Sequence, residues 1–349
     1  MTVFKPHLTM KIAVDAMGGD HAPREVIRGA VEAARELGLH VVLVGREELL
    51  RDELRSMNVR EGTVDVAHAS EVVEMGEVPG VAIRKKKDSS IRVGLNMVAE
   101  GSASSFVSAG NSGAVMAGAL YVLRKVKGVD RPAISATIPT PSGPIVLIDA
   151  GANVDCKATH LLQFGYMGDA YARKILGISR PRVGLVSIGE EESKGTDLTR
   201  EAGLLFRQAG LNYVGNLEGR DFFAGKADVF VCDGFVGNVA LKTMEGMATA
   251  LGHFLKDEIG KSAFAKMGVL LAGGAIRRVK RRLDYTEYGG APLLGVKGGV
   301  VICHGSSDAK AVKNAIRMAE SLHECGVEKE IAASIAGSGI GREEQAAAE

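Results

Sequence analysis

The chain has 349 residues, 46% hydrophobic and 24% charged, enough to bury a large core as one α/β domain or two closely packed lobes. Forty-three basic against 42 acidic residues leave a formal net charge of +1, so no whole-molecule field favours nucleic acid or an acidic partner. The four cysteines, Cys156, Cys232, Cys303 and Cys325, form no C-x-x-C pair and suit reduced thiols of the cytoplasm better than a disulfide frame or a zinc site.

Residues 1–9 hold no apolar core of signal-peptide length, and no run of about 18 apolar residues occurs, which argues against secretion and membrane spanning. Met10 is an alternative start, and residues 1–9 and 337–349 are expected as flexible ends around one catalytic domain over 10–336. Within it, short runs rich in Val and Ile alternate with longer segments of helical period. That pattern predicts the α/β class, a three-layer αβα arrangement with a largely parallel sheet. The candidate strands are Lys11 to Ala16, Val41 to Gly45, Val64 to Ala69, Ser105 to Ala109, Ile145 to Asp149, Val183 to Ile188, Asp228 to Cys232 and Val300 to His304. In such sheets ligands bind beyond the carboxyl ends of the strands, so the loops that follow are the first places to seek chemistry.

The first strand runs into Asp15-Ala-Met-Gly-Gly-Asp-His-Ala-Pro23. Gly18 and Gly19 amides with the following helix start make an anion or thioester site, with Asp20 and His21 as polar participants. The same residues equally suit a tight turn capped by Asp20. Ser108-Ala-Gly-Asn-Ser-Gly113 repeats the idea: Ser108, Gly110, Asn111 and Ser112 are candidate phosphate contacts, or a plain helix cap. Asp149-Ala-Gly-Ala-Asn153, Ser187-Ile-Gly-Glu190, Asp233-Gly-Phe-Val-Gly-Asn238 and His304-Gly-Ser-Ser-Asp308 close further strands in the same manner, and six such loops predict one lined cleft. Asn153, Asn238 and Ser306 are its further polar candidates. Lys194 suits phosphate or a developing oxyanion, His304 a proton transfer, and Asp233 an orienting role or an ordinary cap. No metal-binding spacing, Walker loop or nucleophile elbow is found, so no metal or cofactor is expected.

From about Met244 to Leu283 the sequence reads as helix upon helix, a hairpin projecting from the sheet domain. It carries the apolar run Met267 to Ile276, with Val269, Leu270 and Leu271, and then a basic run with Arg277, Arg278, Lys280 and Arg281. Greasy surface beside dense positive charge suits anionic lipid or an acidic carrier protein, and equally a dimer interface with an exposed basic face. No internal repeat is visible.

Taken together, residues 11–23, 108–113, 149–155, 232–239, 288–292 and 304–308 resemble the bacterial phosphate acyltransferases of phospholipid synthesis over roughly Met10 to Val327. The resemblance implies reversible transfer of a fatty acyl group from acyl carrier protein to inorganic phosphate, giving acyl phosphate for a downstream glycerol-3-phosphate acyltransferase. It further implies a fold like phosphotransacetylase and isocitrate dehydrogenase, a homodimer without a metal, and a cytoplasmic protein held peripherally at the inner face of the cell membrane. An acyltransferase using coenzyme A thioesters is the nearest alternative; a dehydrogenase of similar architecture or a non-catalytic scaffold are the others.

Overall fold

The computed structural model describes residues 10–275, 278 and 285–338. Arg277, Lys280, Arg281 and residues 1–9 and 339–349 lie outside the described residues. Eleven strands form one sheet: β1 (Ile12–Asp15), β2 (Val41–Gly45), β3 (Asp65–His68), β4 (Ser105–Ser108), β5 (Ala133–Ile138), β6 (Ile145–Ile148), β7 (Val183–Val186), β8 (Tyr213–Leu217), β9 (Val229–Val231), β10 (Ala291–Leu294) and β11 (Gly299–Ile302). Their spatial order is β3-β2-β1-β4-β11-β10-β5-β6-β9-β7-β8.

The sheet consists of two parallel blocks. In the first, β3, β2, β1, β4 and β11 run the same way; in the second, β6, β9, β7 and β8 do. Between them β10 is antiparallel to β11 and to β5, and β5 is antiparallel to β6. Three reversals turn the second block over, so the carboxyl ends of the two blocks lie on opposite edges of the sheet.

Helices cover both faces. On one, α1 (Arg24–Leu37), α2 (Glu47–Ser56), α6 (Ala158–Lys174), α7 (Asp197–Gln208), α10 (Ala309–Glu324) and α11 (Val327–Gly337) enclose the largest core cluster. α1 shows the logic: Val26, Ile27, Ala30, Val31 and Ala33 recur at helical spacing and are buried, and Gly38 at φ 69° ends the helix. The other face carries α3 (Pro79–Lys85), α4 (Ser90–Ala99) and α5 (Ser112–Val122) over the first block. Over the second block, the first turns of α8 (Gly234–Lys261) pack Ala240, Leu241 and Met244 against Leu147 and Phe230.

Beyond those turns α8 leaves the sheet and, with α9 (Ala263–Leu271), forms the expected projecting arm; its helix starts at Gly234, directly after β9, rather than at about Met244. Met247, Leu251, Phe254, Leu255, Phe264, Met267 and Leu271 are exposed along it. Arg278 is exposed and Val269 half-buried. Among the described residues no helix is long and apolar enough to cross a membrane.

The seating of α8 is tight. A Cβ on Gly237 would lie 1.9 Å from the Asp149 carbonyl oxygen, whereas one on Gly246, out on the arm, meets nothing within 4 Å. Gly237→Ala should therefore cost about 3 kcal/mol through overpacking against backbone. Gly246→Ala should raise stability by up to about 1 kcal/mol through helix propensity. Urea unfolding of the two variants checks both signs.

Candidate active site

The six strand-end loops do not line one cleft within a chain. They divide three and three. Loops 15–23, 108–113 and 304–308 follow β1, β4 and β11 on one edge; loops 149–153, 187–196 and 233–238 follow β6, β7 and β9 on the opposite edge. The single cleft expected from sequence is corrected by the reversals at β10, β5 and β6, all three of which involve β5 or β10, strands the sequence reading did not find.

On the first rim, Asp15 is buried at the end of β1. Its Oδ1 accepts the Met17 amide at 3.1 Å and its Oδ2 accepts the Ser108 hydroxyl at 2.7 Å. Ser108 Oγ in turn accepts the Gly110 amide at 3.0 Å. Ser108 and Gly110, expected as phosphate contacts, are thus already engaged within the loop framework. Asn111 is likewise taken: its Oδ1 caps α5 through the Ala114 amide, and its Nδ2 donates to the carbonyls of Glu74, Met75 and Glu77. That folds the segment before α3 over the start of α5, a wall the sequence reading missed.

What the first rim leaves open is more useful for an anion. Among the described residues the amides of Gly19, Asn111, Ser112 and Gly113 donate to no protein group. The last three form the amino end of α5, where the helix dipole favours negative charge. Gly19 has φ 110°, a backbone state natural to glycine. The Asp20 amide donates to the Gly305 carbonyl at 2.8 Å, tying the first and third loops together, while the side chains of Asp20, His21 and Ser112 are exposed. His304 is exposed as well. Its Nδ1 accepts the Ser306 amide at 3.2 Å and lies 2.7 Å from Ser306 Oγ. An Nδ1 that accepts leaves the neutral ring's proton on Nε2, the nitrogen not engaged by Ser306.

The second rim is built on a matching device. Asp149, fully buried just past β6, accepts the amides of Ile134, Gly151, Ala152 and Asn153 and the Asn153 Nδ2. Burial nevertheless pushes its carboxyl up, as it does that of Asp15. Asn153 also donates to the Pro132 carbonyl at 2.8 Å, so it serves the framework and not a ligand. Asp233 caps α8 through the Val236 amide at 2.9 Å, the ordinary-cap reading, and Asn238 is exposed beside Gly151. Lys194 is exposed beside Gly189, and its ammonium joins no ion pair among the described residues. Cys156, under this rim, has its thiol pushed up to about 12 by burial and by Asp149 and Asp233, which makes it a poor nucleophile. Among the described residues no cluster of three or more His, Cys, Asp or Glu side chains is placed to hold a metal ion.

A family model described as fatty acid synthesis protein matches residues 10–330. A phosphate acyltransferase of Pelotomaculum thermopropionicum is 57% identical over 326 residues, covering 93% of this chain and 95% of its own. The chain belongs to the phosphate acyltransferase family. A second member, from Pelobacter propionicus, is 53% identical over 322 residues, 92% of this chain and 93% of its own. Among solved structures, a phosphotransacetylase from Staphylococcus aureus superposes with a TM-score of 0.60 at 16% identity, covering 90% of this chain and 94% of that one, a likeness of fold. The α/β class, the largely parallel sheet and the phosphotransacetylase-like architecture read from the sequence agree with this.

The framework role of Asn153 has a measurable consequence. Asn153→Ala removes two donors from buried acceptors and should cost about 2 kcal/mol of stability while leaving the KM for phosphate of the folded fraction unchanged. Thermal melting and phosphate titration of the variant check this.

Proposed function

We propose that this protein transfers a fatty acyl group reversibly from acyl carrier protein to inorganic phosphate, releasing acyl phosphate for phospholipid synthesis. One observation carries the reading: relatives named phosphate acyltransferase match nearly the whole chain, and its first rim offers an anion the unengaged amides at the start of α5. Phosphate held there by Gly19, Ser112 and Gly113 attacks the thioester carbonyl carbon. The carbonyl oxygen becomes an oxyanion, stabilised by the same class of donor. The tetrahedral adduct then collapses with cleavage of the carbon–sulfur bond, and the leaving thiolate takes up the proton that hydrogen phosphate gives up on becoming acyl phosphate, relayed by His304 or by water. No protein nucleophile is required.

Lys194 and Asp233 stand on the opposite edge. The homodimer implied by the family resemblance offers a route by which that edge of a second copy meets this rim, with Lys194 adding a cation for phosphate. The arm of α8 and α9, with its exposed Phe264, Met267 and Leu271, supports peripheral contact with the inner face of the cell membrane, where the downstream glycerol-3-phosphate acyltransferase takes the product. Val269 and the exposed Arg278 belong to the same stretch of chain, in which Leu270, Arg277, Lys280 and Arg281 are their sequence neighbours.

Purified protein incubated with palmitoyl carrier protein, phosphate and hydroxylamine should yield trapped acyl hydroxamate in a phosphate-dependent manner, with coenzyme A thioesters the poorer donors. Turnover with coenzyme A thioesters alone selects the phosphotransacetylase alternative. His304→Ala should lower kcat by about 10²- to 10⁴-fold, the usual loss for a general acid. Lys194→Ala should raise the KM for phosphate, and wild-type kinetics in that variant removes Lys194 from the site. Flotation with anionic liposomes should be lost when Phe264 and Leu271 are both replaced by Glu; retained flotation rules the arm out as anchor.

A further inference from the structure

Asp15 is 1% exposed and has no part in the steps above. Its carboxylate lies directly beneath two glycine loops of the first rim. Besides Met17 and Ser108, the Gly18 amide and the Ser90 side chain lie close enough to favour its ionised form. A serine hydroxyl carries one proton. With that proton committed to Asp15, the Ser108 oxygen is left to accept, and it holds the Gly110 amide. The carboxylate therefore orients Gly110 through Ser108 while it orients Met17 and Gly18 directly.

The two loops also touch through backbone. A Cβ on Gly18 would lie 2.5 Å from Asp15 Oδ2 and 2.7 Å from both the Cα and the nitrogen of Gly110. No side chain separates them, so their spacing follows the carboxylate. Stability does not account for this residue. Burial pushes its carboxyl up, and no basic group is among the largest influences on its ionisation. A charge buried without a counter-ion weakens a fold even when well hydrogen-bonded.

We propose that Asp15 is a positioning residue for phosphate: acting through Ser108 and the Met17 and Gly18 amides, it fixes the spacing between Gly19 and the amino end of α5. The inference rests on the reading of this rim as the phosphate site. An asparagine at position 15 keeps an acceptor for Met17 but turns an N–H toward Ser108. The serine's own proton then loses its buried acceptor, the hydroxyl has to turn to place it elsewhere, and the oxygen no longer holds Gly110 in a fixed position.

Asp15→Asn, Ser108→Ala and the double variant test this in the hydroxylamine assay. Asp15→Asn should melt no lower than the wild type, because a carboxyl whose ionised form burial disfavours has gone. Its KM for phosphate should nevertheless rise about 10- to 100-fold, the scale of a small misplacement of binding groups, with the KM for the thioester donor unchanged. Ser108→Ala should show the same phosphate-selective defect, and the double variant should be no worse than the worse single one, as for groups acting in series. A wild-type KM for phosphate in Asp15→Asn, or defects that multiply in the double variant, overturns the proposal. Should Asp15→Asn fail to fold, Ser108→Ala decides alone: it keeps the carboxylate, and a normal phosphate KM in it overturns the proposal. Wild-type protein without phosphate-dependent turnover removes the functional reading itself, whereas an active wild type matched by Asp15→Asn removes only the role of Asp15.

Discussion

The organisation of this protein depends on the three antiparallel pairings in the middle of its sheet. β10 and β5 lie between two blocks that are each parallel inside, and the pairings on either side of them turn the second block over relative to the first. In a parallel sheet the strand ends, the loops and the amino ends of the following helices all point the same way. Reversing one block sends half of those binding-competent ends to the far edge. Each edge must then form its own set of loops, and each does so with three.

Both sets solve the same problem in the same way. A strand ends in a buried aspartate whose oxygens gather backbone amides from a short glycine-containing turn: Met17 and Gly18 for Asp15, and Gly151, Ala152 and Asn153 for Asp149. The neighbouring strand, β4 or β9, feeds a helix capped by Asn111 or Asp233, and a glycine near that cap is pressed against the aspartate's turn. Amides in a tight turn would otherwise be buried without acceptors, which is costly. The carboxylates supply those acceptors and hold the turns in shape, while their own burial works against the fold. On the first rim this leaves a few amides unengaged, those of Gly19, Asn111, Ser112 and Gly113.

Much of this was legible in the sequence. Eight of the strands were marked by Val- and Ile-rich runs ending in Gly, Asp or Ser, and the six loops were found where strands end. The three strands missed have physical excuses. β5 dilutes its two isoleucines with Ala, Ser and Thr, β10 is only four residues long and contains Pro292, and β8 is an edge strand with Gly215 and Asn216 in it. Missing β5 and β10 hid the reversal, and with it the division of the loops. Residue type alone also could not show that the Ser108, Asn111 and Asn153 side chains and the Gly110 amide are engaged within the loops. A polar side chain or glycine amide in a loop serves a ligand or the loop itself, and only the partners decide. The repeated Asp-Ala followed closely by Gly, at Asp15 and Asp149, was the trace of the paired design, too short to register as a repeat.

The arm on the second block has a mechanical meaning. α8 runs 28 residues, about 42 Å at the usual helical rise, and is gripped only at its first turns, where Gly234 and Gly237 rest on the turn that Asp149 holds together. A stiff rod clamped at one end delivers a sideways push at its tip as torque at the clamp. Here the clamp is the second rim of strand-end loops, so a push at the tip is felt first by the loops of that edge. The glycines that let the helix sit so close also leave no cushion of side chain between lever and loop.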